Sequence, residues 1–342
     1  MLTTVSKNTD SAPTKVAKQG GAVQVAQELI KKELAQVEQT LRTLPDLQPE
    51  TLRQAVEIVV SSGGKRIRPI ITLLVAGMLE QTVSIRAIHL AGAVELLHTA
   101  TLVHDDLIDG ALMRRGASTL NAAWTPAATV LTGDYLFSFA AGLAAKTDSV
   151  RVMSIFAETL GVIVGGELRQ QFTDWAQRST REDYQKRIYA KTGSLFVLAT
   201  SATGVIVGAN EAQISELVTF GHELGNAFQV VDDILDFTGE QASVGKPVGN
   251  DLRRGLITLP TIAYIESHPN STELDCALKG ECESEEYDAI IAKIRKSSAI
   301  QIALDEARAM SAKAKQALAS FPDNAYKTAL LAIADYTVER DV

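Results

Sequence analysis

The feature that limits the fold most strongly is a long interval without proline, residues 127–246. Proline breaks helices and marks turns, so this interval favours long helices over many short strands joined by turns. Apolar residues also recur at helical spacing between Val23 and Leu44, opposite a charged face. No segment rich in proline, glycine and serine divides the chain. We therefore predict an all-α protein with a single helical domain.

Helical patterns cover most of the remaining chain. We predict helices over residues 51–62, 69–79, 84–108, 129–145, 149–172, 181–208, 212–237, 258–267, 285–295, 299–319 and 325–339. Asp148 and Thr180 are the predicted N-caps of two of these helices. The runs 161–165 and 204–208 are rich in β-branched residues, but the longer helical patterns around them override this local preference.

Composition and charge narrow the class of protein. Apolar residues make up 46% of the chain and charged residues 22%, which allows a large core and excludes a disordered chain. The formal net charge of −8 argues against a general nucleic-acid binder, which needs a basic surface. Cys276 and Cys282 lie in a polar segment, 268–286, that we predict to be a long surface loop. Because their spacing matches neither a metal site nor a redox motif, we predict no disulfide framework and a cytoplasmic protein.

Two segments could be mistaken for membrane or targeting signals. Residues 1–22 have no apolar core and no arginine, so we predict a disordered tail ahead of a helical domain at 23–342, although their low acid content resembles a transit peptide. Residues 192–210 carry no formal charge and are long enough to be tested as a membrane span. Their hydroxyl side chains and glycines favour a buried helix instead, and we predict no transmembrane segment.

Three carboxylates stand at the end of the predicted helix 84–108. Asp105 and Asp109 are four residues apart and share one helix face, with Asp106 beside them. Like charges at this spacing repel each other, and a protein relieves the repulsion by protonating one carboxylate or by binding a cation. A solvated acidic helix end is the alternative for this cluster taken alone.

A second cluster repeats the same spacing at Asp232, Asp233 and Asp236, again on an apolar helix. Two such clusters with basic residues around them indicate a negatively charged substrate bound between both. Oxygen ligands select hard cations, and Mg²⁺ commonly shares carboxylates with substrate phosphates. We therefore predict that these six aspartates form a Mg²⁺ site.

A basic turn precedes the predicted helix 69–79. Lys65 and Arg68 follow two glycines, which let a backbone approach an anion, and both side chains can donate to phosphate oxygens. His98 lies two helical turns before Asp105 on roughly the same face, and we predict that it joins these two cations in binding a diphosphate. A basic surface turn and a buried core histidine are the structural alternatives.

The remaining candidate site residues are polar groups close to the two clusters: Arg114, Arg115, Lys191, Thr192, Gln229 and Lys246. Lys191 lies within an apolar helix, so we predict that it is buried and pairs with an anion, either a carboxylate or a substrate phosphate. Gln229 lies one turn before the second cluster, and Lys246 lies in a glycine-rich loop after it. Surface positions without a role are the alternative for each residue alone.

Together and in this order, these motifs resemble those of the trans-type polyprenyl diphosphate synthases, over about residues 25–340. The resemblance implies a bundle of mostly antiparallel helices around a central cavity, the isoprenoid synthase fold, usually as a homodimer. It implies a Mg²⁺-dependent prenyltransferase that condenses isopentenyl diphosphate with an allylic diphosphate of farnesyl or geranylgeranyl type. Terpene cyclases share the first cluster alone. A non-catalytic subunit, the other rival, typically loses aspartates from one cluster, whereas both are intact here.

The resemblance also assigns roles to residues. Isopentenyl diphosphate is assigned to Lys65, Arg68, His98 and Arg115. The allylic diphosphate and the catalytic roles are assigned to Arg114, Lys191, Thr192, Gln229 and Lys246. Mg²⁺ is assigned chiefly to Asp105, Asp109 and Asp232, with the other three aspartates in support.

Product length depends on the helix face below the first cluster. In the family that this chain resembles, bulky aromatic residues about one turn before Asp105 block growth near the farnesyl length. Here Ala100 and Thr101 are small, and Leu97 lies a turn deeper. We therefore expect a medium- or long-chain product, such as a quinone side-chain precursor, with geranylgeranyl diphosphate as the alternative. Residues 338–342 lack a strongly basic ending, which gives no support for a closing role of the tail.

Overall fold

The computed structural model describes residues 21–43, 50–61, 64–80, 82–114, 116–172, 180–239, 248–269, 272 and 274–340. Over these ranges the chain is almost entirely helical, and the single sheet is a hairpin that pairs β1 (Met113–Arg114) with β2 (Ala117–Ser118). The prediction of an all-α fold is confirmed.

The helices follow the predicted order. The first half contains α1 (Gly21–Leu29), α2 (Lys31–Arg42), α3 (Glu50–Ser61), α4 (Ile67–Leu79), α5 (Ile85–Ile108), α6 (Leu120–Ala123), α7 (Pro126–Ala145) and α8 (Val150–Phe172). Next comes one continuous helical run that contains α9 (Arg181–Ile188), π1 (Tyr189–Gly193), α10 (Ser194–Val197), π2 (Leu198–Ala202) and α11 (Thr203–Ile206). The rest comprises α12 (Glu211–Thr238), α13 (Asn250–Arg253), α14 (Leu259–Ser267), α15 (Asp275–Lys279), α16 (Ser284–Lys296), α17 (Ala299–Ala317) and α18 (Ala325–Glu339).

One of the two predicted N-caps is observed, and the other is not. Thr180 caps α9 in a capping box with Asp183, as predicted. Asp148 does not cap α8: its φ is 52°, and the Ser149 hydroxyl accepts the Val152 backbone N–H instead. The predicted loop 268–286 contains helix α15, because Leu274 and Ala277 are apolar enough to be buried there.

The two cysteines form a disulfide bond between Cys276 and Cys282, so the prediction that they build no disulfide is wrong. Six positions separate them, and the turn at Gly280 between α15 and α16 brings their Cα atoms to 4.9 Å. This distance suits a disulfide. The prediction used motif spacing, and spacing does not exclude a local bridge of this kind.

Replacing Cys276 and Cys282 by serine should lower the free energy of unfolding by about 2 kcal/mol, because the bridge closes a small loop and so reduces the conformational entropy of the unfolded chain. Urea unfolding would measure the loss. The wild type with its disulfide reduced by a dithiol should have the same free energy of unfolding as the variant. Activity should stay unchanged, since the bridge joins α15 to the turn before α16 and contains none of the clustered aspartates. An equal stability of both proteins would contradict the assignment.

Two cores lie along one long helix. The N-terminal half of α12 contributes Phe220 to a core with α4, α5, α7 and α8, and its C-terminal half contributes Phe237 to a core with α14, α16 and α17. Helix α5 packs mainly on α7, and α12 packs mainly on α17. The aspartate clusters stand at the C-terminal ends of α5 and α12, the two helices at the centre of this packing.

The uncharged run that begins at Thr192 is a buried helix, as predicted. By length and composition alone, α7 is the one described helix that could cross a membrane, and 39% of its most apolar window is buried. Because α7 packs along α5 and α8, it reads as a helix of the protein core.

Candidate active site

The first cluster begins with Asp105, one turn before the end of α5. Burial raises the pKa of Asp105 to about 6, Lys191 opposes this rise, and Glu167 and Asp109 add to it by repulsion. Glu167 lies on α8 and was missed by the sequence reading, although it follows two adjacent glycines within an apolar helix. Asp105 and Asp109 therefore lie near another carboxylate, Glu167 of α8.

Asp106 and Asp109 are both paired with arginines. The hairpin β1–β2 turns the chain back onto α5, so that Arg114 Nε donates to Asp106 Oδ1 at 2.8 Å. Arg254 Nη2 donates to Asp109 Oδ1 at 2.5 Å. Because Arg254 directly follows α13, this pair joins the end of α5 to the loop after α12. The two predicted clusters therefore lie at the same end of the bundle.

Asp232 faces a group of cations. Arg340 Nη2 lies 2.7 Å from Asp232 Oδ1. Burial raises the pKa of Asp232, and Arg340, Arg68 and Lys65 act against that rise. The Asp232 side chain nevertheless keeps 43% of its surface exposed, as expected for a group inside a cleft.

The C-terminal segment contributes Arg340, which the sequence reading did not assign to the site. Helix α18 carries Arg340 to α12, where Nη2 also donates to the Phe228 carbonyl at 2.8 Å. The guanidinium lies 3.9 Å from the centre of the Phe228 ring, a close cation–π contact. One arginine near the end therefore reaches the second cluster, although residues 338–342 are not strongly basic.

Asp233 is buried and points away from Asp232. Its Oδ1 accepts from Gln229 Nε2 at 2.8 Å, and its Oδ2 accepts from the Tyr184 hydroxyl at 2.7 Å. Burial and repulsion by Asp251 raise the pKa of Asp233 to about 7. Both of its oxygens are thus engaged by protein groups.

Asp236 caps a helix. Its two carboxylate oxygens accept the backbone N–H groups of Asn250 at 3.2 Å and of Asp251 at 3.1 Å. These N–H groups open helix α13, so the third aspartate fixes the short helix that carries Arg254 at its end.

Lys191 and Thr192 lie in the π-turn π1. A π-turn holds one more residue than an α-turn and so shifts the side chains that follow it, and such turns are frequent at functional sites. Thr192 Oγ1 donates to Gln229 Oε1 at 2.5 Å. The prediction that Lys191 is buried is wrong: 38% of its side chain is exposed, and its Nζ lies 3.8 Å from Glu167 Oε1.

The three cations of the basic turn do not point the same way. Arg66 adopts a left-handed backbone (φ 51°), and its side chain turns inward to pair with Glu38 at 2.7 Å and Glu95 at 2.9 Å. Lys65 Nζ donates to the Tyr336 hydroxyl at 3.0 Å, and Arg68 lies 5.1 Å from the Phe196 ring centre. Lys65 and Arg68 lie close enough to Asp232 to lower its pKa, whereas Arg66 joins α2 to α5 through Glu38 and Glu95.

The other predicted residues are placed as follows. His98 is half-buried on α5, and its carbonyl accepts from Thr101 Oγ1 at 2.7 Å. Leu97 and Ala100 have no exposed surface, whereas Thr101 is half-buried. Arg115 and Lys246 lie outside the described residues.

An all-helical bundle with two acidic helix ends meeting among cations defines an enzyme class that acts on diphosphates. Residues 49–294 match the polyprenyl synthetase family model. The chain is 36% identical to the octaprenyl diphosphate synthase of Haemophilus influenzae, over 83% of this chain and 86% of that protein. It is also 36% identical to the nonaprenyl diphosphate synthase of Mycobacterium tuberculosis, over 90% of this chain and 92% of that protein.

Solved structures agree. A decaprenyl diphosphate synthase from Rhodobacter capsulatus superposes with a TM-score of 0.86 at 32% identity, covering 93% of this chain and 98% of that one. A polyprenyl synthase from Caulobacter crescentus, complexed with calcium and isoprenyl diphosphate, gives 0.86 at 34% identity and covers 96% of this chain and all of that one. The chain belongs to the polyprenyl synthetase family. The predicted prenyltransferase activity, condensation of isopentenyl diphosphate with an allylic diphosphate, is thereby confirmed.

Proposed function

We propose that the chain extends a farnesyl or geranylgeranyl diphosphate with isopentenyl diphosphate into a medium- or long-chain all-trans polyprenyl diphosphate, such as a quinone side-chain precursor. The observation that carries this proposal is the pair Arg254–Asp109, which brings the acidic ends of α5 and α12 to one site. The octaprenyl and nonaprenyl products named for two relatives support the length.

The two diphosphates would bind on opposite sides of this site. Lys65 and Arg68 act on Asp232 and would hold isopentenyl diphosphate, with His98 and Arg115 completing that subsite. Lys191 acts on Asp105, and Thr192 next to it donates to Gln229. Both would hold the allylic diphosphate, with Arg114, Gln229 and Lys246. Arg115 and Lys246 are assigned to these subsites by the family resemblance alone.

The residues present fit a divalent cation, and we assign Mg²⁺. Asp105 is a half-buried oxygen donor whose neighbours Asp109 and Glu167 repel it, so a cation would relieve the charge. Asp105, Asp109 and Asp232 are the proposed ligands, as the family resemblance assigns them. Asp109 pairs with Arg254 and Asp232 with Arg340 in the structure, so a bound cation would compete with these two arginines. Asp106, Asp233 and Asp236 are engaged by Arg114, by Tyr184 and Gln229, and by backbone N–H groups, and would support the site from behind.

In this reaction the protein would bind and orient the two diphosphates and would protect the allylic cation from water. Bound Mg²⁺ would neutralise charge on the departing diphosphate. Lys191 would stabilise the same charge, while Thr192 and Gln229 would fix the position of the allylic diphosphate. The apolar walls around Phe196 and Phe228 would keep water from the allylic cation while the isopentenyl double bond attacks it. The departing diphosphate is the proposed base for the final proton.

Incubation of the purified chain with Mg²⁺, labelled isopentenyl diphosphate and farnesyl diphosphate tests the proposal. Chromatography of the products should show chains longer than geranylgeranyl. Failure to extend geranyl, farnesyl or geranylgeranyl diphosphate would contradict a catalytic chain and favour a non-catalytic subunit. An arrest at geranylgeranyl diphosphate would leave the activity standing and refute the product length.

Substituting phenylalanine for Ala100 should shorten the main product towards farnesyl or geranylgeranyl diphosphate, because the ring would occupy the path of the growing chain below Asp105. Chromatography with both substrates measures the length. Ala100 has no exposed surface, so the variant also risks overpacking that costs about 1–3 kcal/mol. Thr101→Phe, at a half-buried position, is the matched second variant. Unchanged product length in both folded variants would contradict the role of this helix face.

We further propose a cytoplasmic homodimer. Helices α7 and α8 leave large apolar side chains in solvent, including Leu131 at 64% and Phe172 at 84% exposed, with Val164 and Leu168 beside them. Such a surface suits a partner subunit. One relative, from Geobacillus stearothermophilus, is component 2 of a heptaprenyl diphosphate synthase, so the alternative is a different partner chain. Light scattering of the pure protein distinguishes a dimer from a monomer. We also propose a loose association of the protein with the membrane, which would serve release of the product.

A further inference from the structure

Tyr184 lies outside every sequence motif, yet it ends a chain of hydrogen bonds that begins at the site. We propose that Tyr184 is a positioning residue for the allylic half of the reaction, acting through Asp233 and Gln229 on Thr192. By the same geometry, Asp233 is a positioning carboxylate and not a ligand of the metal. This inference rests on the proposed assignment of Lys191 and Thr192 to the allylic diphosphate.

The chain of hydrogen bonds has one direction when Asp233 is ionised. The Tyr184 hydroxyl then donates to Asp233 Oδ2, which lies 2.7 Å away. Gln229 Nε2 donates to the other oxygen, Oδ1, at 2.8 Å. The amide must therefore present its oxygen to Thr192, whose hydroxyl donates to Oε1 at 2.5 Å. A flipped amide would set Oε1 against the carboxylate and leave Thr192 facing a donor.

Burial makes this arrangement rigid. Tyr184 is 1% exposed and Asp233 is 4% exposed, so water cannot replace a lost partner. The Tyr184 ring packs in the core around the C-terminal half of α12, with Phe237 and Ile262. The guanidinium of Arg187, one turn further along α9, lies 5.5 Å from the ring centre and donates to the Ile257 carbonyl. Tyr184 thus holds one oxygen of a buried carboxylate whose other oxygen is held by Gln229.

The consequence for the reaction follows from the position of Thr192. It lies next to Lys191 in π1, so a turn of the Gln229 amide would shift the hydroxyl at the site without disturbing Lys65 and Arg68. Displacements of about 1 Å in a positioning group cost up to a hundredfold in rate. Tyr184 should therefore affect the turnover of the allylic substrate and leave isopentenyl diphosphate binding alone.

Tyr184→Phe removes one hydroxyl and keeps the ring. We expect kcat with farnesyl diphosphate to fall roughly tenfold, the effect of one lost hydrogen bond to a buried charged group. KM for isopentenyl diphosphate and the Mg²⁺ concentration for half-maximal activity should stay within twofold. Tyr287→Phe, a buried tyrosine of the same core on α16, is the matched control and should keep wild-type kinetics.

A double-mutant cycle separates positioning from general loss of structure. In a Gln229→Ala background the intermediate link is gone, so Tyr184→Phe should cause no further loss of kcat. A full tenfold further loss in that background would overturn the proposal. Asp233→Asn provides a second route if Tyr184→Phe does not fold: kcat should fall while the Mg²⁺ midpoint stays, and a shifted midpoint would identify Asp233 as a metal ligand and overturn the proposal. Absence of wild-type elongation would instead refute the proposed function.

Discussion

Replacing Asp105 by asparagine should lower kcat about a thousandfold, comparable to the largest loss caused by removing one group that stabilises transition-state charge. Asparagine has nearly the same size and keeps one carbonyl oxygen, but it removes the negative charge. In the wild type, Asp105 is the half-buried carboxylate that interacts with Lys191, Glu167 and Asp109 together. Steady-state kinetics at saturating substrates measure the loss.

The same carboxylate should make the Mg²⁺ requirement depend on pH. The pKa of Asp105 is raised to about 6 in the folded protein. The stabilisation that comes from binding this proton is therefore fully present below the pKa of the unfolded chain and is lost as pH rises through 6. Mg²⁺ competes with that proton, so the Mg²⁺ concentration for half-maximal activity should fall between pH 5.5 and 7.5. In Asp105→Asn, the Mg²⁺ concentration for half-maximal activity should no longer change over this pH range.

The control for Asp105→Asn is Asp305→Asn, an exposed aspartate on α17 that should leave kinetics unchanged. A loss of kcat below tenfold in Asp105→Asn would remove Asp105 from the metal site. A wild-type Mg²⁺ midpoint that does not vary with pH would show that another group controls metal binding, even if kcat falls.

Sequence patterns predicted the helices because each pattern is local. Helix α5 at 85–108 was expected at 84–108, since its apolar spacing is visible along a short stretch, and Ser84, predicted inside the helix, is its N-cap. Contacts between distant residues leave no such trace. Arg254 and Asp109 are 145 positions apart, and Arg340 reaches Phe228 across 112 positions. Neither pair could be predicted without knowing which helices pack side by side.

Two neighbouring aspartates show the same limit at one position. Asp232 and Asp233 are identical in the motif, but adjacent residues on a helix point about 100° apart. Asp232 therefore faces the cleft and Arg340, while Asp233 faces the core and Tyr184. Arg66 similarly differs from Lys65 and Arg68 only because its backbone is left-handed, which the sequence did not indicate. Motifs name the residue types at a site, and packing decides which of them face the substrate.

Packing also gives the second large expected effect, at Gly225 on α12. A Cβ at this position would lie 2.8 Å from the Gly193 Cα and 3.0 Å from the Phe196 Cβ. The first of these atoms is backbone, so α12 and the π-turn π1 would have to move apart. Overpacking of this kind costs about 1–3 kcal/mol, although alanine in a helix interior is otherwise favoured over glycine by up to about 1 kcal/mol.

Gly225→Ala should therefore be less stable in urea unfolding and should lose about a hundredfold in kcat, because Gln229 and Thr192 stand on the two segments that separate. Gly142→Ala on α7, where a Cβ would meet nothing within 4 Å, is the matched control and should be neutral or slightly stabilising. If Gly225→Ala kept full activity with reduced stability, the spacing of π1 and α12 would matter for folding but not for the placement of Thr192. If it gained stability as Gly142→Ala does, the close contact itself would be refuted, because the sign of the change depends on that contact alone.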